Sequence, residues 1–193
     1  MPEVLTAEQQ PGNLKTAAPR GAGTPLIESS RIARRVHRLG REISSTYKGI
    51  DRPLVLVVIL KGATVFAADL MRCLTIPAEL EFVRAASYGG GTSSQGRPLR
   101  LAGMVEGTLV DRHVLLVEDI VDSGRTADAV SKRVSKLKPA SLRLAALLDR
   151  PARRTVDVHI DFRGFTIPDR FVIGYGLDYA GLYRELPAIY SLS

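Results

Sequence analysis

Hydrophobic positions first become periodic at Ser30, where Ile32, Val36, Leu39 and Ile43 recur at spacings of four, three and four. This is one face of a helix. Leu54 to Leu60 (LVLVVIL) has no polar break. At seven residues it is strand-length, and it predicts a strand buried on both faces, entered from Pro53 and closed by Lys61-Gly62. Thr64 to Arg72 has helical composition and Leu80 to Arg84 that of a strand. Val114 to Val117 (VLLV) predicts a second buried strand, Ala127 to Leu137 a helix, Leu142 to Leu148 (LRLAALL) a strand, and Phe171 to Gly174 a last strand. Strand, helix, strand in repeated order predicts an α/β fold with a parallel sheet and crossover helices.

Two stretches break the periodicity. Residues 1–25 hold Pro2, Pro11, Pro19 and Pro25 with Gly12, Gly21 and Gly23, which predicts a flexible tail. Ser87 to Pro98 (SYGGGTSSQGRP) has four glycines and no large apolar residue. A loop of that length inside a domain is usually functional, and the composition suits a lid over an active site. Residues 26–193 contain neither an internal repeat nor an interior linker and predict one domain.

Composition narrows the class. The 193 residues, 45% hydrophobic and 24% charged, are those of an ordinary globular domain. The longest apolar run has seven residues, against roughly 20 for a membrane-spanning helix. The first ten residues carry Glu3 and Glu8 rather than a basic segment leading into an apolar one, so a cytoplasmic protein is expected. Cys73 is the only cysteine, which excludes an internal disulfide and a multi-cysteine metal site; between Met71 and Leu74 it reads as a packing thiol. His37, His113 and His159 lack metal-ligand spacing and read as structural or surface residues. The net charge of +7 points to an anionic partner, either nucleic acid or a small polyphosphate. Arg31, Arg34, Arg35, Arg38 and Arg41 lie mostly off the apolar stripe of the first helix. A solvated outer face is preferred there over an RNA surface.

Val114 to Thr126, VLLVEDIVDSGRT, concentrates the chemistry. In an open parallel sheet, ligands bind at the carboxyl ends of strands, where Glu118 and Asp119 are expected. Two buried acids there call for a metal or a hydroxylated ligand. Asp122, Ser123, Gly124, Arg125 and Thr126 precede a helix whose free N–H groups and dipole favour an anion. Ser123 and Thr126 add hydroxyl donors, Gly124 allows close approach of the backbone, and Arg125 adds charge. Neither GxxxxGK[ST] nor GxGxxG occurs, so a sugar phosphate beside a magnesium-associated group fits better than a nucleoside triphosphate or a dinucleotide.

VLLVEDIVDSGRT resembles the 5-phosphoribosyl 1-diphosphate (PRPP) signature of the type I phosphoribosyltransferases. From Leu26 to Ser193 the chain is similar to hypoxanthine(-guanine) phosphoribosyltransferases. The resemblance implies a central, mostly parallel sheet flanked by helices, with a small hood built partly from the C-terminal segment. It implies purine salvage: transfer of phosphoribose from PRPP to a 6-oxopurine, hypoxanthine and also guanine, giving IMP or GMP and pyrophosphate, with Mg2+ and as a homodimer or homotetramer.

The resemblance also distributes roles. LKGA (Leu60 to Ala63) matches the loop whose backbone, here Lys61-Gly62, meets pyrophosphate, often through a non-proline cis peptide. Ser87 and Tyr88 match the mobile catalytic loop. Glu118 and Asp119 would hold ribose hydroxyls or magnesium, and Asp122 would be the general base near purine N7. Ser123, Gly124, Arg125 and Thr126 would hold the phosphate. In Ile167 to Pro187 (IPDRFVIGYGLDYAGLYRELP), Phe171 would stack on the base and Val172 contact its edge. Asp178 would assist magnesium through water, and Arg184 would bind pyrophosphate with help from Arg154. One departure stands out: LLDRP places Arg150 where bacterial members commonly have the Lys that donates to the purine 6-oxo group. The alternative is an RNA-binding regulator on the same fold.

Overall fold

The continuous aliphatic run at Leu54–Leu60 is strand β1, six of whose seven residues are buried. In a computed structural model of the chain, which describes residues 24–87, 99–103 and 109–192, β1 pairs in parallel with β2 (Ala78–Ser87) on one side and β4 (His113–Val121) on the other. β4 continues the parallel order to β5 (Ser141–Asp149) and β6 (Phe162–Thr166), while β3 (Leu99–Ala102) closes the far edge antiparallel to β2. The sheet order is thus β3-β2-β1-β4-β5-β6. A separate antiparallel pair, β7 (Phe171–Ile173) with β8 (Tyr190–Leu192), forms the small C-terminal hood.

Helices cover both faces. Helix α1 (Ser29–Thr46) buries Ile32, Val36, Leu39 and Ile43, the stripe its spacing predicts. It packs with α2 (Ala63–Arg72) against Leu54, Leu56 and Val58 of β1. A Cβ at Gly40 would fall 2.6 Å from the Cys73 Cβ, so α1 lies against the end of α2 and Cys73 does serve as packing. Helix α3 (Arg125–Ser135) covers the other face, where Ala127, Val130 and Val134 meet Val55, Val57, Val114 and Leu116.

The structure departs from the sequence expectations at element ends. β4 runs on to Val121, so Glu118 and Asp119 lie inside the strand rather than at its end. β2 is longer than predicted and α3 starts two residues earlier. β3, β6 and β8 had no predicted counterpart. Residues 1–23 of the expected tail, Tyr88 and the rest of the expected lid through Pro98 lie outside the described residues.

One feature of the ladder positions the site. The β1–β4 pairing ends at Val58–Val117, whereas β4–β5 continues to Val121–Asp149. From β1 the chain crosses to β2, and from β4 it crosses the opposite way to β5. A crevice therefore opens between the carboxyl ends of β1 and β4, the switch point at which open α/β sheets bind ligands.

Candidate active site

Lys61-Gly62 leads out of β1 into this crevice. The cis peptide is Leu60–Lys61, one bond before the position expected from the resemblance. The Lys61 carbonyl accepts from Thr64 N–H (3.2 Å) and Thr64 Oγ1 (2.7 Å), which closes the turn and leaves the lysine side chain exposed. Gly62 is required by space: a Cβ there would sit 1.6 Å from Asp119 Oδ2. The β1 turn and the β4 acid are in direct contact.

Glu118 is 7% exposed, and its Oε2 has no hydrogen-bond partner. Burial pushes its carboxyl well above the usual range, and the neighbouring Asp119 charge pushes it further. Burial also raises Asp119, opposed by hydrogen bonds from Glu118 and the Ile120 N–H (3.0 Å) and by the charge of Arg184. A buried carboxylate with an unpaired oxygen beside a second acid suits a hard cation. Among the described residues no group of three or more His, Cys, Asp or Glu is placed to hold a metal. The two carboxylates thus fit an ion that takes its remaining ligands from substrate and water, as Mg2+ does.

The turn after β4 opens helix α3. Gly124 adopts φ +85° and caps α3, and the Arg125 N–H donates to Ser123 Oγ (3.4 Å). A hollow of about 50 Å³ opens over Glu118, Asp122, Ser123, Gly124 and Thr126. Behind it the turn is tied down, since Ser123 O accepts from Thr155 N–H (3.0 Å), Val156 N–H (3.0 Å) and Thr155 Oγ1 (3.1 Å). The close approach that Gly124 permits is made there: a Cβ would lie 2.3 Å from Val156 O.

Two arginines after β5 complete this frame. Arg154 was expected near pyrophosphate; instead it donates to Asp122 O (3.0 Å), Val121 O (3.2 Å), Val158 O (3.4 Å) and Asp149 Oδ1 (2.5 Å). Asp149, 4% exposed, also receives Arg163 at 3.0 Å. Arg150, 6% exposed, grips Asp122 with Nε on Oδ1 (3.0 Å) and Nη2 on Oδ2 (2.6 Å), while Nη1 donates to Arg170 O (2.5 Å). The sequence pattern contained little sign of either arrangement, because all the partners but Asp149 lie 28 to 33 residues apart or are backbone carbonyls.

The hood closes the crevice. Phe171 is 44% exposed and meets Tyr179 edge-on at 5.8 Å, while Val172 is buried. Phe171 follows the Arg170 carbonyl held by Arg150. Arg184 donates to Gly176 O (2.5 Å) and pairs with Asp178 at 2.7 Å; Asp178 also accepts from Gly181 N–H (2.8 Å). A Cβ at Gly176, which has φ +97°, would fall 2.2 Å from Gly62 O. The hood is thereby seated on the Lys61-Gly62 turn. Ser87 ends β2 and Tyr88 is outside the described residues. Among the expected residues, Gly62 lies against Asp119, Arg150 holds Asp122, and Arg184 pairs with Asp178.

A family model described as "Phosphoribosyl transferase domain" matches residues 26–180. Hypoxanthine phosphoribosyltransferases of Salmonella typhimurium and Escherichia coli are each 43% identical over 164 residues, 85% of this chain and 92% of theirs. Among solved structures, a hypoxanthine-guanine phosphoribosyltransferase from Bacillus anthracis aligns with TM-score 0.82 and 36% identity, covering 89% of this chain and 99% of that one. A Trypanosoma cruzi hypoxanthine phosphoribosyltransferase gives TM-score 0.84 and 37% identity, covering 92% and 94%.

Proposed function

Since the chain belongs to the phosphoribosyltransferase family, we propose that it is a purine-salvage enzyme that transfers the 5-phosphoribosyl group of PRPP to a 6-oxopurine, with release of pyrophosphate. The observation that carries this is the pairing, at one switch point, of an acid dyad of buried Glu118 and half-buried Asp119 with a glycine turn that opens α3 and an exposed aromatic.

In the reaction the C1–O bond to pyrophosphate breaks and a C1–N9 bond forms, with the N9 lone pair as nucleophile. The N7 proton passes to Asp122 and then to solvent. The 5′-phosphate sits on Ser123 to Thr126, where backbone N–H groups and the α3 dipole meet it. Pyrophosphate lies between the Lys61-Gly62 backbone and Arg184, whose charge neutralises the leaving group. Glu118 and Asp119 accept from the ribose hydroxyls and offset positive charge developing on the ring. Phe171 stacks on the base and the Val172 backbone meets its edge. Asp122 acts by placement, within about 2.6 to 3.2 Å of N7 in the reacting complex. Ser87 and Tyr88 exclude water when the loop closes. Glu118 and Asp119, with Asp178 through water, would hold Mg2+, which when bound adds charge neutralisation at pyrophosphate.

Among the described residues no helix is long and apolar enough to cross a membrane. We place the enzyme in the cytoplasm as a homodimer or homotetramer, by analogy with its relatives. The RNA-regulator alternative finds no support in those relatives, which are enzymes by name. Steady-state rates with hypoxanthine, guanine, xanthine and adenine, each with PRPP and Mg2+, test the proposal. Turnover of hypoxanthine is expected; no turnover of any 6-oxopurine refutes it.

A further inference from the structure

Tyr175 has φ +50° and stands between two glycines that also have positive φ, Gly174 at +94° and Gly176 at +97°. For the glycines this is ordinary; for a bulky side chain it is not, and such an outlier persists only where its surroundings hold it. Tyr175 is held from both ends. Its N–H donates to Leu186 O (2.7 Å), and its hydroxyl donates to Asp69 Oδ2 (2.7 Å). The residue is buried, and burial together with the Asp69 carboxylate pushes the hydroxyl above its ordinary value, so it remains a donor at neutral pH. Asp69 belongs to α2, the helix that the Lys61-Gly62 turn opens. The hood therefore meets that turn and helix at two points. One is Gly176 against Gly62 O, and the other is Tyr175 on Asp69, about 10 Å further along the helix axis. A single contact would leave a pivot, whereas two fix the orientation. Packing supplies little of the second, because a hollow of about 370 Å³ lies between α1, α2 and the hood, with Val65, Asp69, Tyr175, Arg184 and Leu186 on its walls. Arg184 shares this frame: Gly176 N–H donates to Arg184 O (2.9 Å), and Arg184 Nη1 donates back to Gly176 O (2.5 Å).

We propose that Tyr175 and Asp69 are positioning residues for pyrophosphate, their hydrogen bond setting the span between the Lys61-Gly62 backbone and the Arg184 guanidinium. This deepens the phosphoribosyl-transfer reading and rests on it. Pyrophosphate is gripped from two sides by groups on different elements, so its affinity follows the distance between them. Both side chains act through Gly176 and Arg184. Without their bond the hood pivots on Gly176 and the span loosens. The turn at Ser123 to Thr126 is tied down by Thr155 and Val156, and Phe171 is held by the β7–β8 pairing and by Arg150 on Arg170 O. Neither depends on Asp69, so the effect is confined to ligands that carry pyrophosphate.

The test compares the full-length wild type with Tyr175→Phe, Asp69→Ala, Asp69→Asn and the Tyr175→Phe/Asp69→Ala double variant. KM is measured for PRPP and hypoxanthine in the forward direction and for pyrophosphate and IMP in reverse, all with Mg2+, beside melting temperatures. Tyr175→Phe keeps the ring and removes one hydrogen bond. Its KM for PRPP and for pyrophosphate should rise roughly three- to tenfold, while those for hypoxanthine and IMP stay within about twofold of wild type. Asp69→Ala, at a side chain 45% exposed, should show the same split. The double variant should lie within about twofold of the larger single effect, since both changes remove one bond. Asp69→Asn keeps an acceptor oxygen for the phenol and should recover most of what Asp69→Ala loses. Unchanged KM for PRPP and pyrophosphate in Tyr175→Phe, an equal rise for all four ligands, or multiplicative effects in the double variant would overturn the proposal. A fall in melting temperature with no split in KM would mark the bond as structural and overturn it equally. If Tyr175→Phe melts too low to assay, the Asp69 variants decide, and wild-type KM values in Asp69→Ala reject the positioning role. Failure of the underlying reading is distinct, because it appears as absent 6-oxopurine turnover in the wild type.

Discussion

Replacing Gly62 by alanine tests the contact between the β1 turn and the β4 acid with almost no confounding strain. Gly62 has φ −60° and ψ −41°, a conformation that alanine adopts freely, so the backbone exacts nothing. The cost is spatial. The new Cβ would stand 1.6 Å from Asp119 Oδ2, and real Cβ atoms essentially never approach within 3.0 Å of a heavy atom, so the carboxylate must retreat by about 1.4 Å. Asp119 is held by the Ile120 N–H at 3.0 Å, and that bond goes with the movement. A misplacement of about 1 Å in catalytic positioning costs on the order of 100-fold in rate, or about 2.7 kcal/mol of transition-state stabilisation. Gly62→Ala should therefore lower kcat/KM for PRPP about 100-fold while its melting temperature stays within a few degrees of wild type. Gly49→Ala is the converse control: its φ is +81° with nothing within 4 Å. It should lose about 1–2 kcal/mol of stability and no activity. Activity of Gly62→Ala within threefold of wild type would refute the view that Asp119 must stay where Gly62 lets it sit.

The acid dyad predicts a pH effect with a definite sign. Glu118 is raised above its ordinary value near 4.5 in the folded protein, so between that value and the raised one the native state binds more protons than the unfolded chain. The dyad's contribution to stability is then full below about pH 4.5 and lost as pH rises through the raised value. Glu118→Gln should flatten that slope in melts recorded without divalent cations, and an unchanged difference across pH would contradict it. Arg154→Met breaks a buried pair with Asp149 and three carbonyl contacts, and should cost about 3–5 kcal/mol, read as a fall of roughly 6–20 °C in melting temperature. A fall under 2 °C would mean that the turn is held by other contacts. Phe171→Ala, at a residue 44% exposed, should raise the hypoxanthine KM roughly tenfold, with little change in stability or in the KM for PRPP. Equal rises for both substrates would remove Phe171 from the base site.

How legible the molecule was depended on whether a residue's partners were local. β1, α1 and the turn at Asp122 to Thr126 follow from runs, periods and small residues that a short window contains. β6 (FRGFT) was not read because it is short, interrupted by Arg163, and has a glycine whose reason lies in another strand. A Cβ on Gly164 would fall 2.2 Å from Leu147 O. Of the β4 acids, Glu118 is buried and Asp119 half-buried, and both lie inside the strand rather than at its end, since the extra pairing to β5 is a property of the ladder and not of the β4 sequence. The resemblance places Arg154 beside Arg184 at pyrophosphate. Two of the Arg154 bonds go to carbonyls more than 30 residues away, and no local pattern distinguishes an arginine that binds substrate from one that supports a loop.

The same distinction accounts for part of the basic excess on α1. Arg35 lies across the edge strand β6, donating to Gly164 O at 3.0 Å and to Arg163 O, and pairs with Glu42 at 2.9 Å. Arg31 is over the Phe165 ring at 5.5 Å. An unpaired strand edge is a template for association, and charged side chains laid on it are one of the ways proteins blunt it. Arg41 meets the ring nitrogen of His37 at 2.6 Å, and Arg38 comes within 3.6 Å of Glu42. The stripe that a sequence reader sees as a candidate RNA surface is, in the fold, partly spent on β6 and partly on its own helix. The net charge of +7 thus divides between arginines that build the edge, arginines that build the loop, and the few, Arg184 and Arg150 foremost, that we propose face a substrate.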